Sequence, residues 1–161
     1  MPDWFWALLI SLPTASLAEY WLHRSMHTWL LKKVHAMHHK EGTGQGWFLE
    51  FKDYLKGGIL VGWLGFLYSV EVGLGWLAGM IIYGAWAAYS HQLQHERPEL
   101  CFWLPRPVHF IHHHQHMWHH NFGISFDFWD RVFGTYKKVD WQPQPDRPRF
   151  SLLGMLKIRW F

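Results

Sequence analysis

Residues 57–90 read GGILVGWLGFLYSVEVGLGWLAGMIIYGAWAAYS, and Glu71 is the one charged side chain among them. Glu71-Val72-Gly73 supplies a charge and a glycine where an apolar chain can reverse. The stretch therefore predicts a helical hairpin of two segments, 57–70 and 72–90, with its turn near 71–73. The second segment approaches the roughly 20 residues that cross a hydrocarbon core, and the first is shorter. Upstream, residues 4–22 form a third apolar stretch of near-spanning length. The same lengths also suit buried helices of a soluble bundle. Aromatic density favours the membrane: 13 Trp, 12 Phe and 6 Tyr suit a lipid–water boundary, although a mean hydropathy of −0.13 argues against a wholly embedded chain.

The expectation is an all-α fold, an integral membrane helical bundle built as a single domain over 1–161, with a cytoplasmic helical region over 91–161. Orientation comes from charge. All 15 Lys and Arg lie at or after Arg24, so the positive-inside rule places residue 23 onward on the cytoplasmic side. Two crossings of the hairpin then return residues 91–161 to that side. Asp3 stands where a secretory signal would carry a basic residue, so the first stretch reads as a retained anchor. The single cysteine, Cys101, excludes an intrachain disulfide framework and a cysteine-based zinc or iron–sulfur site.

On either side of the hairpin stand the histidines. Ten of the 14 form four clusters: His23/His27, His35/His38/His39, His91/His95 and His109/His112/His113. Within each cluster the members are three or four residues apart or adjacent, and such positions share one side of a helix. Ten imidazoles on one side of a membrane suit two metal ions with several ligands each, and imidazole favours zinc, copper, iron and nickel. Neutral ligands leave a dication's charge uncompensated, which nominates Glu19, Glu41, Glu96 and Asp130 as outer partners. The Glu-x-x-His pairs of carboxylate-bridged di-iron bundles do not occur at these clusters. A second phrase, His116/His119/His120, competes with His109/His112/His113.

The order of these clusters around a hairpin resembles the fatty acid hydroxylase / sterol desaturase superfamily, whose pattern is His-x(3–4)-His, His-x-x-His-His, His-x(3)-His and His-x-x-His-His. The resemblance runs from about Glu19 to Tyr136 and includes Asn121-Phe-Gly-Ile-Ser-Phe-Asp-Phe-Trp-Asp-Arg-Val-Phe-Gly-Thr-Tyr136. Relatives leave about seven residues between the last triplet and that Asn. His113 satisfies this spacing and His120 abuts Asn121, which favours 109, 112 and 113. The opening phrase, Glu19 to His27, is also similar to that of the compact bacterial carotenoid hydroxylases.

The resemblance implies that these ten histidines hold two iron ions, which zinc can replace in purified protein. It also implies O2 as co-substrate and a hydroxylated or desaturated lipid (fatty acyl, sterol or carotenoid-like) as product. No Gly-x-Gly-x-x-Gly fingerprint occurs, so the electrons would come from an external donor such as a ferredoxin or small cytochrome. Lys32, Lys33, Lys137, Lys138, Arg147 and Arg149 suit an acidic carrier or anionic lipid headgroups. No nucleic-acid partner is expected. The rival reading is a membrane metal- or haem-binding protein without oxygenase activity. It fits less well, because haem needs fewer ligands and a transporter needs charged groups inside its spans.

Overall fold

The computed structural model describes residues 1–143 and 150–161, and every regular element among them is helical. Three long helices carry the architecture: α1 (Asp3–Met26), α3 (Trp47–Gly62) and α4 (Val70–Glu96). Between α1 and α3 lies the short α2 (Lys32–Glu41). Among the described residues after α4 the α-helices are brief, α5 (Val108–His114), α6 (Phe128–Val132) and α7 (Leu152–Leu156). The expected helical region over 91–161 is thus mostly irregular among its described residues beyond Glu96. Pro98, Pro105 and Pro107 remove backbone donors there and interrupt helix.

Helix α4 is the centre of the bundle. Its glycines let neighbours approach closely: a Cβ at Gly75 would run into the Trp4 backbone, and one at Gly79 into Ser11 Oγ and the Leu8 carbonyl. These contacts and the Ala15/Tyr83/Ala87 cluster step forward along both chains, so α1 and α4 run parallel. Helix α3 runs the other way, with Val61 accepting from Trp76 Nε1 near one end and Glu50 meeting His91 near the other. The C-terminal ends of α1 and α4 and the N-terminal end of α3 therefore share one end of the bundle.

The reversal between α3 and α4 lies at 63–69, a 3₁₀ turn over Leu64–Leu67, ahead of the expected 71–73. Its cause is Ser69, whose hydroxyl accepts from Val72 N and starts α4 at Val70. Glu71 and Gly73 fall in the first turn of the helix. Among the described residues α4 is the one helix long and apolar enough to cross a membrane. Helix α1 is long enough but ends in Glu19, His23 and Arg24, and α3 is 16 residues long. Apolar side chains stay exposed along all three, among them Trp6, Ile10, Ile59, Leu60, Leu74 and Ile82.

Candidate metal centre

The i, i+4 spacing places His23 in the last turn of α1 and His27 just beyond it, and His91 and His95 on the last turns of α4. Helix α2 contributes His35, His38 and His39, and α5 contributes His109, His112 and His113. These four chain ends bring nine of the ten histidines into two groups. His23, His27, His35, His39 and His112, all buried, form one; His38, His91, His95 and His109 form the other. Within each group one ring nitrogen per residue lies within 4.8 Å of all the others.

The tenth, His113, belongs to neither group. Its ring stacks on His39 at 3.9 Å and 9°, faces His38 and His95 at 4.7 Å each, and leaves both nitrogens buried without a hydrogen-bond partner. Of the competing phrase, His116 and His119 are exposed. His120 acts through its carbonyl, which accepts from His112 Nδ1 at 2.6 Å. The structure thus brings the 109/112/113 phrase to the centre and leaves 116/119/120 on its outer side.

The internal distances suit a ligand set. In the larger group the Nε2–Nε2 separations include 2.8 Å (His27–His35), 3.0 Å (His27–His112), 3.1 Å (His23–His35 and His39–His112), 3.2 Å (His35–His39) and 3.3 Å (His23–His27). Neighbouring nitrogens about 2.1 Å from a common ion at right angles lie about 3.0 Å apart.

The opposite face of each ring points to the same conclusion. Nδ1 of His23 donates to the Phe122 carbonyl at 2.6 Å, Nδ1 of His112 to that of His120, and Nδ1 of His95 to that of Gly42 at 3.2 Å. A carbonyl only accepts, so these Nδ1 atoms carry the proton and each neutral ring turns its Nε2 lone pair inward. Converging lone pairs repel unless a cation lies between them.

Burial reinforces the neutral state. It lowers the His27 pKa to about 3 and those of His38 and His39 to about 4, with neighbouring imidazoles adding to the effect. His35, His109, His112 and His113 are pushed down in the same direction and for the same first cause.

Of the four nominated carboxylates, none touches an imidazole. Glu19 Oε1 accepts from the backbone N–H groups of Ile124 and Ser125, and its Oε2 from Tyr83 Oη and Ser125 Oγ. Asp130 accepts from Phe122 N, Gly123 N and Thr135 Oγ1. Both therefore brace the 121–125 loop whose Phe122 carbonyl holds His23. Glu96 accepts from Gln92 and the Arg159 backbone, and Glu41 is exposed. The carboxylate that does reach a histidine is Glu50, missed in the sequence, whose Oε2 lies 2.7 Å from His91 Nδ1 with both side chains buried.

A cleft of about 610 Å³ ends against His23, His35, His38, His91 and His109. Its floor is α4, with Met80 and Tyr83. Its sides are α1 and α3, which both pack along α4 but scarcely touch each other.

The sequence pattern described as fatty acid hydroxylase matches residues 8–135, four-fifths of the chain. The chain belongs to the fatty acid hydroxylase family. It has no match among curated proteins or among solved structures. Membership of this family, with histidine groups able to hold metal, makes an oxidoreductase of the lipid-oxygenase kind the coarse functional class. Lys32, Lys33, Lys137 and Lys138 are exposed, and Arg147 and Arg149 lie outside the described residues.

Proposed function

We propose that this fatty acid hydroxylase family member is an O2-dependent oxygenase that binds two iron ions and hydroxylates or desaturates a lipid. The observation that carries the reading is two groups of inward-facing imidazoles closing one end of a largely apolar cleft. His23, His27, His35, His39 and His112 would hold one ion, and His38, His91, His95 and His109 the other. His113 lies against both groups and completes the proposed set of ten. When bound, the irons would supply O2 activation and removal of a hydrogen atom from an unactivated C–H bond.

The chain's own residues do the rest. Carbonyls of Gly42, Phe122 and His120 fix imidazole tautomers, and Glu50 fixes His91 and offsets the cationic charge. Leu22, Met26, Val61 and Met80 line an apolar cleft that excludes water and holds a hydrocarbon against the histidine end.

The parallel α1 and α4, the antiparallel α3 and their exposed apolar side chains support a membrane-embedded bundle with the histidines at its cytoplasmic end. An external ferredoxin or small cytochrome would deliver electrons on that side, where Lys32, Lys33, Lys137 and Lys138 are exposed.

The test is metal content with Mössbauer and EPR spectroscopy on protein purified from membranes under reducing conditions, followed by lipid-product analysis. Near two irons per chain with a coupled signal supports the oxygenase. A single zinc or a haem spectrum overturns it.

A further inference from the structure

Arg159 joins three segments that surround the four-histidine group. Its guanidinium donates to the Gln45 carbonyl, its backbone N–H donates to the Glu96 carboxylate at 3.1 Å, and its carbonyl accepts from Trp47 N at 2.9 Å. Gln45 belongs to the irregular 42–46 loop, Glu96 closes α4 and Trp47 opens α3. The Trp160 carbonyl accepts from Phe48 N at 2.9 Å, so two N–H groups that start α3 without an intrahelical partner are satisfied by this segment. Ile158 roots it, buried with Leu93, Leu100 and Cys101. The Trp160 ring adds contacts to Trp47 and Tyr89, with centroids 5.7 Å and 6.5 Å away.

The loop held in this way orients two imidazoles. The Gly42 carbonyl accepts from His95 Nδ1, and Gln45 N donates to Glu50 Oε1 at 3.0 Å while the other oxygen of that carboxylate meets His91. From the α4 side, Gln92 Oε1 accepts from Gly46 N at 2.9 Å and Gln92 Nε2 donates to Glu96 Oε1 at 2.7 Å. No helix or strand fixes the backbone over 42–46, so its place depends on these individual bonds. Space around it is filled as well: a Cβ at Gly44 would strike Gln92 Oε1, and one at Gly46, where φ is +103°, would crowd the Phe161 backbone and Arg159 Nε.

Resting on the metal-centre reading of the same histidines, we infer that Arg159 is a positioning residue for the ion held by His38, His91, His95 and His109. It acts through the 42–46 loop and Glu50, without touching an imidazole. The five-histidine group takes its support from the 121–125 loop and lies outside this chain of contacts. The Arg159–Gln45 bond is solvent-exposed, so its loss should weaken that one ion about fivefold, the worth of an ordinary hydrogen bond.

The experiment dialyses the full iron-loaded chain against graded chelator, counts bound ions by mass spectrometry and separates the two environments by Mössbauer spectroscopy. Arg159→Ala is expected to release the ion of the four-histidine group at about fivefold lower chelator concentration and to keep the other ion as wild type does. Arg159→Lys, which retains a cationic donor, is expected to recover part of the difference. Hydrogen–deuterium exchange on metal-free protein gives a second readout, with exchange over 42–48 faster in Arg159→Ala and exchange over 121–125 unchanged. Wild-type retention in Arg159→Ala, loss of both ions in parallel, or unchanged exchange over 42–48 overturns the inference. A wild type that holds no ion at this group overturns the inference and the metal-centre reading together. Arg159-dependent retention without any oxidised lipid product leaves the inference standing and overturns the oxygenase instead.

Discussion

Substituting Glu50 tests whether the two histidine groups are independently supported metal sites. Glu50 Oε2 lies 2.7 Å from His91 Nδ1 with side-chain exposures of 5% and 8%, so bulk water screens the contact little. A charge-assisted contact of this kind contributes about 1.5–3 kcal/mol. At 1.4 kcal/mol per tenfold, Glu50→Ala is expected to weaken metal binding at the His38/His91/His95/His109 group by roughly ten- to hundredfold. Glu50→Gln keeps the shape and an oxygen acceptor but not the charge, and should fall between Ala and wild type. The other group should hold its ion, because His23 and His112 are oriented by carbonyls of Phe122 and His120 and not by Glu50. The assay is dialysis against graded chelator, with bound metal counted by mass spectrometry and the two environments separated by Mössbauer spectroscopy. Expected is a variant retaining about one ion where wild type retains two. Loss of both ions in parallel, or full retention of both in Glu50→Ala, refutes the assignment.

Asp130→Ala strands the Phe122 and Gly123 N–H groups and leaves the Thr135 hydroxyl with Tyr20 Oη alone. It should cost about 3 kcal/mol, lowering Tm by roughly 10 °C, and should weaken the five-histidine group by releasing the Phe122 carbonyl from His23; thermal melts and metal counts check both. His112→Ala should abolish metal retention at that group, whereas His116→Ala and His119→Ala should leave metal content at the wild-type level. The reverse result would move the ligand phrase to 116/119/120. For the metal-free protein, His27 and His39 have folded pKa values of about 3 and 4 against 6.5 unfolded, so the unfolded chain binds protons that the folded chain refuses. Their stabilising contribution is present above pH 6.5 and is lost as pH falls toward the folded values. At pH 5 the loss is about 2 kcal/mol for each residue. Denaturant titrations of chelator-treated protein at pH 7 and pH 5 should show stability falling with acidification, and a flat profile would refute the buried neutral state.

The four histidine clusters were legible because their chemistry and their geometry share one code: imidazoles three or four residues apart occupy one helix side wherever the helix goes. The hairpin was legible in outline from its apolar run. Its turn was misplaced because Glu71 drew the boundary, although Ser69, a hydroxyl ahead of an apolar helix, was the better signal. The irregular C-terminal region escaped because its order comes from individual hydrogen bonds. Asp130 gathers Phe122, Gly123 and Thr135, and Asn121 pairs with the Lys137 backbone. Such bonds leave no periodic trace.

What the sequence hid most completely is what orients the ligands. Three imidazoles are held by backbone carbonyls, which every residue possesses, so no residue type advertises them. The fourth partner, Glu50, sits in a polar stretch with Lys52, Asp53 and Lys56 and looks there like a solvated helix face. The nominated Glu19 and Asp130 matter after all, one step removed: they hold the loop that holds His23. Convergence of Nε2 atoms from four chain ends thus depends on the 42–46 and 121–125 loops as much as on the helices. Gly123 shows how tightly that support is built, since a Cβ there would strike the Phe126 carbonyl and crowd Asp130 Oδ2 at 2.9 Å. Sequence change in these loops should therefore damage the metal centre while leaving every histidine in place.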